Sequence, residues 1–197
     1  MKSLFKVLFI GSLLTTISVA QSKNIQSPAD FSGTWILDKK KSIFSFPDGG
    51  KINDLSDAVN LEDYTLVITQ KDPEIRILQS FSFRGDAKRY EITLFFDKRG
   101  EINQGPHKMY DARDTSKKTF ELIDVTVKSK TSQKNNKLLR MGSYQFKWWG
   151  TYNAIVAQTF ELSNDGLSLS LLTDVTFMVD DPLFGNQKSK LVFTKQQ

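Results

Sequence analysis

The sequence predicts an all-β protein, a single antiparallel up-and-down β-barrel of about eight or nine strands with at most one short helix. Two observations lead to this fold class. Segments in which apolar and polar side chains alternate follow one another through most of the chain. Short polar turns join several of them, and such turns connect antiparallel strands, because parallel strands need long crossovers. No internal repeat or linker divides the chain, so one barrel domain is expected.

The N-terminal residues have the features of a cleavable secretory signal peptide. Lys2 and Lys6 precede an apolar stretch without acidic residues, which ends in the small-residue site Ser18-Val19-Ala20. We predict cleavage after Ala20 and a secreted or periplasmic protein without stable membrane insertion; a retained anchor is the alternative. The predicted organisation is a signal peptide over 1–20, a polar arm over 21–30 and a barrel domain over 31–197.

Composition argues against several classes of function. The formal net charge is +5, and the basic residues are interspersed with acidic ones, so nucleic acid is not an expected partner. The chain has no cysteine and one histidine, His107, which leaves no set of nitrogen and sulfur ligands for zinc or iron. We therefore predict no metal site and no cofactor, and stability that comes from an ordinary apolar core rather than from disulfides.

The first predicted strand, Phe31–Asp38, contains Gly33 and Trp35. A glycine close to a large indole suits a place where the backbone approaches a neighbour while the ring fills the narrow end of a barrel. Gly33 and Trp35 are therefore predicted to form the barrel floor. A long connection follows, with a turn cluster at Pro47–Gly50 and a short helix predicted over Asn53–Leu61.

Further strands are predicted from alternation and from the turns between them. The polar stretch after the Asp97–Gly100 turn shows no alternation and receives no element. A phase slip between Leu122 and Ile123 predicts a β-bulge, and Lys130–Lys137 is predicted to be a polar loop. Ser163–Gly166 is the clearest hairpin turn. The remaining predicted strands are Tyr64–Ile68, Glu74–Phe83, Tyr90–Phe96, Phe120–Val127, Tyr144–Trp148, Val156–Leu162, Leu167–Val179 and Leu191–Phe193.

Two motifs resemble the calycin superfamily. Gly33-x-Trp35 is similar to the first-strand signature of lipocalins and their relatives, and Thr159–Leu169 resembles the aromatic-x-Leu-Ser-x-Asp-Gly-x-x-Leu hairpin of exported bacterial lipocalin-like proteins. The resemblance implies a lipocalin-like barrel and places the long connection after the first strand at its open end. One departure is visible. Many calycins stack an arginine from the last strand on the tryptophan, whereas this chain offers Lys190 and Lys195, which lack the planar guanidinium.

Aromatic residues on alternating faces supply the candidate ligand site. A barrel of about eight strands is either filled by side chains or leaves room for one small ligand. We predict a monomer that binds a small apolar or amphipathic molecule, of the lipid or fatty-acid type, in the barrel interior. Arg76 and Arg89 are candidates for an anionic head group and equally for the outer face. The predicted ligand-binding residues are Phe81, Phe83, Tyr90, Phe96, Tyr144, Phe146 and Trp148.

Two alternatives rank lower. An envelope interaction or structural module with a filled barrel would use exposed apolar residues, for which Leu183-Phe184 and Trp149 are the candidates. An enzyme ranks last, because His107 lies in a polar stretch and no pair of carboxylates, such as Glu91 with Asp124, stands out from the others. We therefore predict no enzymatic activity and no catalytic residue.

Overall fold

The computed structural model describes residues 29–45, 51–52, 62–110, 120–147, 150–178 and 186–197, and only the backbone of 51–52, 107–110 and 120–121. Within these residues the chain forms twelve β-strands and one turn of 3₁₀-helix, Lys39–Lys41. The strands are β1 Gly33–Leu37, β2 Ile43–Ser45, β3 Lys51–Ile52, β4 Glu62–Lys71, β5 Glu74–Phe83, β6 Asp86–Phe95, β7 Glu101–Tyr110, β8 Phe120–Lys134, β9 Lys137–Lys147, β10 Thr151–Leu162, β11 Ser168–Phe177 and β12 Gln187–Lys195.

The strands form one antiparallel sheet that curls into a nearly closed barrel. Ten of the described strands follow one another in the order β6-β5-β4-β1-β12-β11-β10-β9-β8-β7. β1 and β2 pair with successive parts of β12, and β3 adds to β2. The predicted all-β antiparallel barrel is confirmed. The predicted eight or nine strands are too few, because the described residues contain these ten and the two short strands.

Side chains, rather than a backbone ladder, join β6 to β7 where the two ends of this strand order meet. The amide of Asn103 on β7 accepts a hydrogen bond from the backbone N–H of Thr93 on β6 and donates one to its carbonyl, both at 2.8 Å. The backbone N–H of Phe95 donates to Oε2 of Glu101 at 3.5 Å. Within the described residues, this seam is therefore held by a few polar side chains, together with one isolated bridge between Asp97, just after β6, and Ser132 on β8.

The strands that the sequence analysis missed lie in polar stretches. β7 occupies the stretch after Gly100, and its first inward positions are Glu101 and Asn103, which are buried. The predicted loop Lys130–Lys137 is wrong: β8 and β9 run through it to a two-residue turn, Asn135-Asn136. Alternation was not visible because hydrogen-bonded polar groups take the inward positions that apolar residues usually occupy.

The predicted bulge between Leu122 and Ile123 is also wrong, since the pairing of β8 with β7 is regular there. An irregular register occurs instead in β4, between Glu62 and Thr65. The helix predicted over 53–61 lies outside the described residues. Among the residues that the structure describes, no helix combines the length and the apolar character needed to cross a membrane.

Trp35 is fully buried, and its indole N–H donates to the carbonyl of Phe31 at 3.0 Å. The segment before β1 crosses the barrel beside it, because the carbonyl of Ala29 accepts from Gln70 of β4 and from Gln133 of β8. The ammonium of Lys195 lies 5.2 Å from the centre of the Trp35 ring. Lysine thus occupies the stacking position, with the side chain of Lys195 lying over Gly33, which has a φ of +143°.

Two apolar clusters fill the barrel. The Trp35 cluster draws on β4, β5, β6 and β12 among others, and includes Phe31, Trp35 and Phe193, all fully buried. The Tyr144 cluster is smaller and lies on β8 to β11. Its buried members are Val125, Val127, Tyr144, Phe146, Ala154, Val156, Val175 and Phe177. The interior is therefore divided rather than continuous.

Candidate ligand-binding site

A cavity of about 110 Å³ lies where the two clusters meet. It is lined from the Trp35 cluster by side chains such as Tyr64 and Leu171, and from the Tyr144 cluster by Val127 and Tyr144. Phe44 of β2, in the long connection after the first strand, also faces it and is buried. Its polar lining residues are Gln79, Asn103, Gln104, Arg140, Gln158, Thr173, Gln187, Lys188 and Ser189.

A buried carboxylate on β7 organises a polar layer beside this cavity. Oε1 of Glu101 accepts hydrogen bonds from the hydroxyls of Thr131 at 2.7 Å and Ser129 at 2.9 Å, both on β8. The same oxygen lies 4.0 Å from Nε of Arg140 on β9, and only 5% and 2% of the Arg140 and Glu101 side-chain surfaces are exposed. The pair is therefore bridged mainly through Ser129.

Arg140 has donors left over in this layer. Its Nε donates to Oγ of Ser129 at 2.8 Å, and Nη1 donates to Oε1 of Gln158 at 2.9 Å. Nη2 is buried and has no hydrogen-bond partner among the described residues. Burial lowers the pKa of Arg140 from its ordinary value, and the charge of Glu101 opposes that shift. Arginine nevertheless keeps its charge in proteins, so the cavity wall carries a fixed cation.

Two tyrosines bring hydroxyl groups to the cavity. The hydroxyl of Tyr64 donates to Oε1 of Gln79 at 3.2 Å. Burial raises the pKa of Tyr64 and that of Tyr144 well above the ordinary value for a phenol. Both side chains are therefore neutral at physiological pH and present an aromatic surface with one polar tip.

Of the predicted ligand-binding aromatic residues that the structure describes, Tyr144 lines the cavity and the others pack elsewhere in the barrel. Phe146 packs behind Tyr144, with ring centres 6.1 Å apart. Phe81 lies between Tyr64 and Tyr90, with ring centres at 5.0 and 6.0 Å. Three predicted residues complete the set: Phe83, which is buried and near Arg84, Phe96, which packs at the edge of the Trp35 cluster, and Trp148, which lies outside the described residues.

The two arginines proposed for an anionic head group lie on the outer face. Arg76 is exposed and pairs with Glu74, and Arg89 is exposed. The buried cation is Arg140, which the sequence analysis missed. A signal was present, because Arg140 has the same two-residue phase as Leu138, Tyr144 and Phe146 on β9. An arginine in phase with an apolar stripe points into the barrel.

A metal site and a set of catalytic groups are the other kinds of chemistry considered from the sequence. Among the residues described, no group of three or more His, Asp or Glu side chains is placed to hold a metal ion. Glu91 is exposed on β6, whereas Asp124 on β8 accepts a hydrogen bond from the Tyr90 hydroxyl at 2.7 Å. Burial and this bond to Asp124 raise the pKa of Tyr90 to about 12. The side chain of His107 and the segment Leu183-Phe184 lie outside the described residues, as does Trp149.

The fold and the site define a class of protein: a nearly closed antiparallel β-barrel with a small internal cavity that is lined by two cationic residues, one of them buried, and by several amide-bearing residues. The sequence matches no protein-family model and no curated protein.

Proposed function

We propose that this chain is an exported, monomeric lipocalin-like protein that binds a small amphipathic molecule in the barrel interior. The observation that carries the proposal is the cavity between the two apolar clusters, whose lining includes Arg140, a buried cation with one nitrogen that has no hydrogen-bond partner among the described residues. Apolar walls with a few placed polar groups are the usual lining of small-molecule sites. The fully buried Trp35 and the hairpin at Ser163–Gly166 support the lipocalin-like assignment, whereas the lysine over Trp35 departs from the arginine of many calycins.

Binding inside the barrel is tested by filling the cavity. Gly105 of β7 lines it, and a Cβ at this position would meet no atom within 4 Å. Gly105→Val therefore adds three carbon atoms to the cavity. Thr126→Val on the outward face of β8, opposite Gln104 in register, is the matched control.

The readout is native mass spectrometry of the purified protein, followed by thermal unfolding with added hexanoate and hexanamide as probes. Saturation to about 100 times the dissociation constant should raise the melting temperature by about 5–10 °C in the wild type and in Thr126→Val. Gly105→Val should lose this shift while folding normally. Equal shifts in all three proteins would place binding elsewhere, and no shift in the wild type with either probe would contradict the proposal.

A surface-interaction function is the second candidate, and one observation favours it. The outer face of β9 to β11 exposes Leu139, Met141, Ile155 and Leu172, with Leu139 and Leu172 opposite the same residue, Thr159, in register. Exposed apolar groups in proximity often mark contact surfaces. Leu172→Asp should abolish co-purification of a partner without changing the melting shift with hexanoate; an unchanged set of co-purified proteins would count against it.

A further inference from the structure

Two of the three guanidinium nitrogens of Arg140 donate hydrogen bonds, and the third has no hydrogen-bond partner among the described residues. Nε donates to Ser129 and Nη1 to Gln158, whereas the nitrogen without a partner is the buried Nη2. Buried donors in proteins are nearly always hydrogen-bonded, and an unpaired one calls for an explanation. Arg140 lines the cavity. Nη2 itself is covered by neighbouring atoms, so a small rotation of the guanidinium is needed to bring it to an acceptor located there.

The charges around the cavity favour an anionic acceptor. Among the residues described, the cavity is lined by the cations Arg140 and Lys188 and by no acidic side chain. Glu101 lies in the polar layer, where its Oε1 accepts from two hydroxyls and lies 4.0 Å from Nε of Arg140. This carboxylate partly compensates the charge of Arg140, so the site has room for one further negative charge at most. Lys188 is exposed and pairs with Asp174 at 3.0 Å, so Arg140 is the buried cation that faces the cavity.

The cavity volume limits the size of the buried part of a ligand. At about 110 Å³, it is smaller than an engineered apolar cavity of about 150 Å³ that holds benzene, and well below the range of about 300–1,000 Å³ for drug-sized ligands. A long acyl chain does not fit inside. A carboxylate with a few carbon atoms does, and the valines and Leu171 of the lining give those carbons an apolar surface.

We propose that the cavity binds a compact organic carboxylate, with its anionic group on Nη2 of Arg140 and its short apolar part against Val127, Val156 and Leu171. The inference rests on the proposed interior-binding function and specifies its ligand class. A carboxylate is planar and singly charged, so it matches the guanidinium edge. A doubly charged phosphate would bring a second negative charge that the lining does not neutralise.

The test compares hexanoate with hexanamide, a neutral molecule of nearly the same shape, by titration calorimetry near neutral pH. The wild type should bind hexanoate about 10- to 100-fold more tightly than hexanamide. Arg140→Met should reduce this preference to about 1. The matched control is Arg76→Met, which removes an exposed arginine from the outer face and should keep the wild-type preference.

A second arm follows chain length and competition. Affinity should increase from acetate to about butanoate and change little from there to dodecanoate, because the additional carbons lie outside the buried volume. Inorganic phosphate should not displace hexanoate. If Arg140→Met does not fold, Glu101→Gln with Arg140→Met removes both buried charges together, and the wild-type comparison stands without any variant.

Several outcomes would overturn the inference. Equal affinity of the wild type for hexanoate and hexanamide would do so while leaving interior binding intact. A carboxylate preference that persists in Arg140→Met would assign the anion to another cation. Displacement by phosphate would make the site a general oxyanion site, and affinity that keeps increasing to dodecanoate would indicate a long-chain site. Absence of binding by both probes would remove the interior-binding function itself.

Discussion

The Trp35 cluster and the Tyr144 cluster lie in the same barrel, but the strands around them direct different kinds of side chain into the interior. β4, β5 and β12 direct large apolar side chains into the interior, such as Leu66, Ile77 and Phe193, which are fully buried. Several inward positions of β7 to β9 are small or polar, next to the apolar residues of the Tyr144 cluster on β8 and β9, and they hold Glu101, Asn103, Gly105, Ser129, Thr131, Arg140 and Gly142. The first set packs solidly. The second set lies at or beside the cavity, so we expect the first set to contribute most of the stability and place the proposed binding site beside the second.

Removing the central aromatic of each cluster should give the largest effect and test this division. Trp35→Ala should lower the free energy of unfolding by about 4 kcal/mol, because it leaves a large cavity in fully buried surroundings. Phe146→Ala, in the Tyr144 cluster, should cost about 3 kcal/mol or less. Urea denaturation measures both. A larger loss for Phe146→Ala would mean that the Tyr144 cluster carries the stability of the barrel.

The buried charge pair should come next. Glu101→Ala leaves the Arg140 charge and two buried hydroxyls without their acceptor, which should cost about 3 kcal/mol. The double variant Glu101→Ala with Arg140→Met should be more stable than Glu101→Ala alone, because no unpaired charge remains. The double-mutant cycle would contradict this account if the two losses simply added.

The seam between β6 and β7 should be weaker than the backbone ladders elsewhere. Asn103→Ala removes both bonds to Thr93 and should cost about 2 kcal/mol, with faster hydrogen exchange at the Thr93 amide than in the wild type. Asn153→Ala is the control, since Asn153 is exposed and its amide bonds to Gln145 at the surface. Unchanged exchange at Thr93 would show that other contacts close the barrel.

Alkaline pH should affect both clusters through their tyrosines. Tyr64 and Tyr144 have raised pKa values because they are buried, and that of Tyr90 is about 12. In the unfolded chain a tyrosine loses its proton near pH 10. The folded chain still holds these protons there, so stability is fully present below about pH 10 and declines as the pH rises towards 12. Urea midpoints from about pH 8 to 11 measure the decline, and Tyr64→Phe with Tyr144→Phe should flatten it; an unchanged slope would assign it to other groups.

The smallest expected effect concerns the cation above Trp35. Lys195→Met keeps the apolar stem of the side chain but removes the charge that lies over the indole, and should cost about 0.5–1 kcal/mol. Lys195→Arg should be at least as stable as the wild type, because a guanidinium stacks on aromatic faces better than an ammonium does. Thermal unfolding of both variants in low salt measures the difference. A loss in Lys195→Arg would indicate that close packing over Gly33 limits the side chain.

Prediction from the sequence was best where apolar alternation was strong. β5 shows the expected dry face at Ile75, Ile77, Phe81 and Phe83, and the hairpin turn at Ser163–Gly166 is present. Prediction was poorest on β7, where inward residues are polar because they bond to β6 and β8. Arg140 was missed for a related reason: no strand was predicted between Lys137 and Tyr144, so the inward phase that Arg140 shares with Leu138 and Tyr144 on β9 was not recognised.

Local sequence thus determined the all-β class, the strong alternating strands, the turns with residues suited to positive φ, and the aromatic residues that fill the core. The order of strands around the barrel, the side-chain seam and the cavity emerged only when distant strands met. Arg140 bonds to neighbours on β8 and β10, and its Nη2 has no acceptor among the described residues. These features depend on which residues converge in space, and a period of two residues determines the face on which a side chain lies but not the partner it meets.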